Sequence, residues 1–368
     1  VHIANKQTQV AVFIQKLLLL QFSSFFCVVF PRHQPFVMNS QNHTANHNAP
    51  DHNAPNNSAR LYDADSAVER AIAEFLPPRI SPGEFRALYA LLDDSDERVR
   101  LAVRQKLKSY GGVIAPCLRS LERREENPLI KQSCAFVVKS FRQDALLEIM
   151  DTVKNAAIAN ADIDLENALG LLSRFGYPET DPDEIGKTLD ALALRVHALF
   201  MKSQQHNDLG LLMSVNQAFF EEAQFAGAED EAYHHPDNSY AHALLKTKRG
   251  IPISLCALYL LVADRAGVTL YGVGMPAHFV VYSPELDIFI DTFNKGAFLS
   301  REDCRKFIKG AGFVFDPSML ERVSNTAILL RMIRNLIFAY SKTSDEWEVA
   351  ALQEISATIV EMMNQEES

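Results

Sequence analysis

The sequence predicts an α+β protein, mostly helical: a helical N-terminal unit, a core in which helices precede a small antiparallel sheet, and a C-terminal helix pair. Three observations predict it. Apolar residues recur at helical spacing from Ser81 to Phe141 and again from Ser318 to Met363. Segments rich in β-branched and aromatic residues crowd between Thr269 and Ile290. The 368 residues, 48% hydrophobic and 22% charged, can bury the cores of two or three compact units without disulfide support.

Residues 1–37 come first. Lys6 and Lys16 precede the apolar run Leu17 to Phe30, the charge order of a signal peptide, but no small-x-small cleavage site follows at Pro31-Arg32-His33. Fourteen residues are too few to span a bilayer. Met38 is the first methionine, so the segment reads as an over-extended start, with an export signal as the alternative. Residues 38–60, with His-Asn-Ala-Pro written twice, lack the apolar content to repay ordering and read as a disordered tail. Its His43, His47 and His52 are expected to be solvated rather than to hold a metal.

Residues 61–145 read as a helical unit containing two similar stretches offset by 31 residues. Asp96, Val99, Arg100, Val103 and Leu107 match Asn127, Ile130, Lys131, Cys134 and Val138, one buried helix face each time. Asp93-Asp94-Ser95-Asp96 supplies capping chemistry before the first copy. The pattern resembles a HEAT-type repeat with a period below the usual ~40. Such a unit serves as a binding surface or as a packed cap on its neighbour.

Residues 146–316 form the next predicted domain. Asp162, Asp164 and Glu166 favour a helix start through the dipole, and without the turn Gly and bidentate Glu they make no EF-hand. Phe219, Phe220 and Phe225 read as core. Asp237-Asn238-Ser239 can cap a short helix through Lys246, which Arg249-Gly250-Ile251-Pro252 stops. A second helix begins near Ser254 and runs to Gly267. Extended segments follow at Thr269 to Met275, His278 to Tyr282 and Leu286 to Ile290, with Ser283-Pro284-Glu285 as a turn. In residues 317–368, Ile328, Leu329, Met332, Ile333, Leu336, Ile337 and Tyr340 give one apolar stripe. Ser344-Asp345 then caps a helix carrying Trp347, Leu352, Ile355 and Ile359, and the pair resembles one tetratricopeptide repeat.

Composition excludes several function classes. A net charge of −10 with no Lys/Arg stripe argues against nucleic acid as a partner. Much of the acidity is local: seven acidic residues against Lys342 alone lie between Ser341 and Ser368, a solvated helix face. Cys27, Cys117, Cys134, Cys256 and Cys304 form no C-x-x-C pair and are odd in number, which fits a reducing, cytoplasmic setting better than a zinc ribbon or disulfide framework. No phosphate-binding Gly loop, metal triad or flavin fingerprint appears, so no cofactor or metal is expected, and no membrane association. No motif sets an oligomeric state.

The chemically suggestive residues lie within about fifty positions: Ser254 and Cys256 at a helix start, His278 opening a strand and Asp291 ending the next. A helix N-terminus lowers a thiol pKa and favours developing negative charge. Neighbouring strands joined by a tight turn bring His278 and Asp291 close enough for the carboxylate to orient the imidazole, the logic of a nucleophile-base-orienter triad.

Asn238-Ser239-Tyr240, Arg249-Gly250-Ile251-Pro252-Ile253-Ser254-Leu255, Gly272-Val273, Pro276-Ala277-His278-Phe279 and Asp291-Thr292-Phe293 with Gly296 together resemble the core signature of the SirB-type transglutaminase-like family. The resemblance runs from about Ser81 to Tyr340. It implies a papain/transglutaminase-like α+β core followed by tetratricopeptide-like helices. In active relatives of that fold a helix-start Cys works with a strand His and Asp. His278 and Asp291 match the second and third places, and Ser254 stands where the thiol would be. Cys256 lies about 200° around the helix from Ser254 and is expected to face elsewhere. Asn238 and Pro252 would line the pocket.

Three readings stay open. On the first, Ser254 acts as a cap, Cys256 as a small buried hydrophobe and His278 as a core histidine tied to a carboxylate. In that case the chain is a non-catalytic regulatory or protein-interaction protein that binds a protein partner through its helical repeats. The second reading is a Cys/Ser-dependent acyltransferase or hydrolase using Ser254 or Cys256, His278 and Asp291. The third reuses the same residues as a ligand pocket. The family's name implies regulation of gene expression, which the charge makes indirect.

Overall fold

The computed structural model describes residues 67–229, 232–343 and 346–366. The proposed start, the polar tail with its three histidines, and capping by Ser344-Asp345 lie outside the described residues. Five helices come first: α1 (Ala67–Phe75), α2 (Pro82–Tyr89), α3 (Glu97–Ser109), α4 (Ala115–Arg124) and the long α5 (Pro128–Ile158). The two matched stretches both begin with a side-chain cap. Asp96 Oδ1 accepts from the Arg98 N–H at 2.9 Å, and Asn127 Oδ1 accepts from the Leu129 N–H at 3.0 Å. Phe85, Leu92, Leu107, Leu118 and Cys134 meet in a core of their own.

α6 (Leu165–Gly176), α7 (Pro182–Phe200) and α8 (Asp208–Asn216) continue the helical run, and a π-helical turn, Gln217–Glu222, follows. Asp164 caps α6 through the Asn167 N–H at 3.1 Å. Phe219 stacks on Phe225 with ring centres 4.2 Å apart, and both are buried. Two short strands, β1 (Ala226–Gly227) and β2 (Arg249–Gly250), pair in parallel on either side of α9 (Ala241–Thr247).

The central helix is α10 (Pro252–Arg265), buried along nearly its whole first three turns. It lies under an antiparallel sheet of order β3 (Tyr271–Val273), β4 (Val280–Ser283), β5 (Ile288–Asp291) and β6 (Ala297–Leu299). The register pairs Val281 with Ile290 and Ile290 with Phe298. Alternation buries both faces: Val281 and Ile290 join the main core, whereas Val280 and Phe289 pack toward α11 (Arg301–Gly310) with Cys304 and Ile308. The strands are shorter than the sequence suggests. β4 starts at Val280, so His278 sits in the loop before it, and β6 and the β1–β2 pair have no counterpart among the expected segments.

α12 (Asn325–Thr343) and α13 (Glu346–Glu366) close the chain against α5 and α6. Arg142 of α5 holds them there: its Nε donates to Phe175 O at 2.8 Å, it pairs with Glu348, and its guanidinium lies 5.1 Å from the Trp347 ring centre. Asp162 caps α12 from far upstream, accepting from the Asn325 N–H at 2.6 Å and the Thr326 N–H at 3.1 Å. Glu166, expected beside it as a helix starter, pairs with Arg265.

Candidate functional site

The site begins with the turn into α10. Gly250 is required there because a Cβ would sit 2.4 Å from Leu244 Cδ1 and 2.9 Å from Ser254 Oγ. Ile251 is extended and Pro252 takes the first helical position, where a missing N–H costs nothing. Ser254 Oγ accepts from the Ile251 N–H at 3.1 Å and donates to Asn238 O at 2.5 Å, with Ile251 O a further acceptor at 3.0 Å. The hydroxyl is 2% exposed and its hydrogen is committed. Asn238, expected to line a pocket, instead ties its own loop: Nδ2 donates to Ala232 O at 2.6 Å and Tyr233 O at 3.2 Å. Pro252 is buried.

Cys256 points away from the capping network of Ser254. It faces the sheet, its Sγ 3.0 Å from Thr292 Oγ1 and 3.5 Å from Phe279 O. Its neighbours therefore each follow one residue after His278 and Asp291. Burial pushes the thiol up to about 12, and the Thr292 hydrogen bond recovers only part of that. A helix start that would acidify an exposed thiol is here outweighed by complete enclosure.

His278 Nε2 lies 3.0 Å from Asp291 Oδ2, with the two side chains 8% and 7% exposed. The distance is short but the N–H is not aimed along it, so Nε2 is a buried atom without a formed hydrogen bond. The loop that presents the ring is strained: Ala277 has φ of 60°, a left-handed conformation that a Cβ disfavours. Arg331 of α12 braces it from behind, Nη2 donating to His278 O at 2.8 Å and Met275 O at 3.1 Å.

Asp291 is fixed by the turn after β5. Its Oδ1 accepts from the N–H groups of Phe293 at 3.1 Å and Asn294 at 3.2 Å, and its Oδ2 accepts from Asn294 Nδ2 at 2.7 Å. Burial alone would raise this carboxyl. The His278 ring and the Asn294 donors outweigh it and hold the group below the ordinary aspartate value. Gly296 closes the turn with φ of 75°, where a Cβ would lie 2.5 Å from Asn216 Oδ1. Asn216 in turn accepts from Tyr259 of α10 at 2.7 Å, so the turn and the helix share one support.

The structure therefore brings His278, Asp291 and the Cys256 neighbourhood together, and engages Ser254 and Asn238 in a separate capping network. No hydrogen bond joins His278 to Ser254 or Cys256 among the described residues. Sequence reasoning missed Arg331 and Asn294. An Arg between Leu330 and Met332 in an otherwise apolar helix stripe was the available signal for the first. Among the described residues no group of three His, Cys, Asp or Glu side chains could hold a metal ion, and no helix is long and apolar enough to cross a membrane.

Comparison with known proteins places this region. A model of the transglutaminase-like superfamily matches residues 183–334, which span every site residue above. A UPF0162 protein of Xylella fastidiosa is 31% identical over 208 residues, 53% of this chain and 71% of that protein. A UPF0162 protein of Vibrio cholerae is 30% identical over 121 residues, 31% of this chain and 44% of that one. F-box only protein 21 of Mus musculus is 33% identical over 137 residues, 34% of this chain and 21% of that protein. No solved structure matches.

Proposed function

We propose that this chain, which belongs to the UPF0162 family and carries a transglutaminase-like domain, is a SirB-type, non-catalytic, cytoplasmic binding protein. The observation that carries the reading is the fate of the two candidate nucleophiles. Ser254 spends its hydroxyl on a helix start, and the Cys256 thiol is fully enclosed and stays protonated at neutral pH. Acyl transfer needs a nucleophile that a substrate carbonyl can reach, and neither group offers one.

A binding role is supported at the N-terminal helices. Leu101 and Phe136 are 45% and 49% exposed there, and a groove of about 580 Å³ runs between Leu88, Leu91, Val99 and Ala102. HEAT-like packing of those helices and a tetratricopeptide-like α12–α13 pair suit a protein partner. The likeness to one fifth of an F-box only protein fits a module that works joined to other sequence.

An activity panel covering peptidase, amidase and amine transfer tests the reading. Wild type, Ser254→Ala, Cys256→Ala and His278→Ala are expected to be equally inert. Any turnover that one of these substitutions removes would overturn it.

Hydrolysis or acyl transfer is the second reading, favoured by the 3.0 Å His278–Asp291 contact and by Cys256 packing beside Phe279 and Thr292. It requires Cys256 to react with a thiol probe faster than Cys117 and Cys134 at neutral pH. On the non-catalytic reading all three stay equally slow.

A further inference from the structure

α12 carries two guanidinium groups that no carboxylate of the described residues pairs with. Arg331 and Arg334 stand three residues apart and so on one face of the helix. Both are partly buried, and neither forms an ion pair with any carboxylate of the described residues. Most arginines that are less than half exposed elsewhere in the molecule are paired: Arg119 with Glu179, Arg142 with Glu348, Arg265 with Glu166 and Asp190.

Arg331 has committed only Nη2, to the carbonyls of Met275 and His278, and stacks 5.3 Å from the Phe279 ring centre. The Arg334 side chain makes no hydrogen bond among the described residues, so its planar fork is open to a ligand. Burial pulls Arg331 down only to about 10, which leaves it charged at neutral pH. Two like charges held near each other on one helix face, with no carboxylate partner among the described residues, favour an anion beside them. The loop that Arg331 braces also holds the second unsatisfied group, the enclosed His278 Nε2.

We infer that Arg331 and Arg334 form the anion-holding part of a ligand site beside the His278 loop, and that the group they take is a carboxylate. The free fork of Arg334 matches the two oxygens of a carboxylate, and Arg331 adds positive potential next to it. Tyr233, part-exposed near Arg331, supplies apolar contact for the body of the ligand. Resting on the binding reading above, this names the chemistry that the transglutaminase-like domain recognises.

Calorimetric titration of the intact chain with N-acetylglycine, its uncharged methylamide and inorganic phosphate tests the site. The acid is expected to bind, the methylamide not, and added salt to weaken the acid. Arg334→Gln should weaken the acid at least about tenfold while leaving the thermal midpoint unchanged. Arg331→Gln would also release the His278 loop, so Arg334→Gln is the deciding variant. Equal binding of acid and methylamide, no binding of either, an unchanged Arg334→Gln affinity, or phosphate binding more tightly than the acid would each overturn the assignment. Chemical conversion of the bound acid would end the non-catalytic reading and leave this site standing.

Discussion

The first turn of α10 and the loop before β4 are built from equally reactive residue types, yet they are opposites in how their polar atoms are satisfied. At the helix start every group is spoken for: Ser254 serves Ile251 and Asn238, and Cys256 meets Thr292 and Phe279. At the loop the accounts stay open. His278 Nε2 is buried without a formed hydrogen bond, Ala277 is strained, and the two arginines behind the loop pair with no carboxylate of the described residues. Satisfied polar groups hold a fold together, whereas groups left wanting are where a partner can be recognised.

Substitutions can break that contrast. Removing the Ser254 hydroxyl should have the largest effect, because it strips the Ile251 N–H and leaves Asn238 O buried. Ser254→Ala is expected to cost about 2 kcal/mol in denaturant unfolding. Gly250→Ala should cost about as much, roughly 1–3 kcal/mol by overpacking against Leu244, so a neutral result at both positions would dissolve the structural reading of this turn.

Alkaline titration sharpens the same point. Cys256 and Cys117 are pushed from 9.0 up to about 12, and Cys304 to about 11, all by burial. A raised thiol pKa means that the unfolded chain loses its proton first. The stability these groups contribute is therefore complete below pH 9 and drains away as pH climbs toward 11 to 12. Unfolding midpoints followed from pH 8 to 11 should fall, and Cys256→Ala should flatten part of the slope.

Acid acts at the loop instead. The depressed Asp291 carboxyl contributes stability above its ordinary value of 3.8 and loses it as pH falls through its lower folded value. Asp291→Asn should remove that acid-side slope at a cost of about 1 kcal/mol near neutrality, read by thermal melts at pH 3 and 7. The smallest change is Ala277→Gly, which relieves the left-handed strain and is expected to stabilise by less than about 1 kcal/mol.

Local chemistry made much of this fold legible. Asp96, Asn127 and Asp164 announce their helices because a cap is a contact between near neighbours in the chain. The β4–β5 hairpin, and with it the approach of His278 to Asp291, follows from two β-rich runs around one turn. What escaped depends on distant partners. The two-residue strands β1 and β2 exist only because Ala226 meets Arg249, and β6 is too short to show a pattern. Helical angle gives the position of Cys256 relative to Ser254, while the docking of α10 under the sheet decides what it faces.

Asp162 adds a lesson about order of assembly. Its carboxylate satisfies the opening N–H groups of α12, which the ribosome adds more than a hundred and sixty residues later. The start of α12 therefore rests on a carboxylate far away in the chain, and that contact ties the segment before α6 to the helix that opens after β6 and α11. Contacts of such long sequence separation are slow to form, so docking of α12 on this carboxylate is expected to follow the packing of the helices around Asp162.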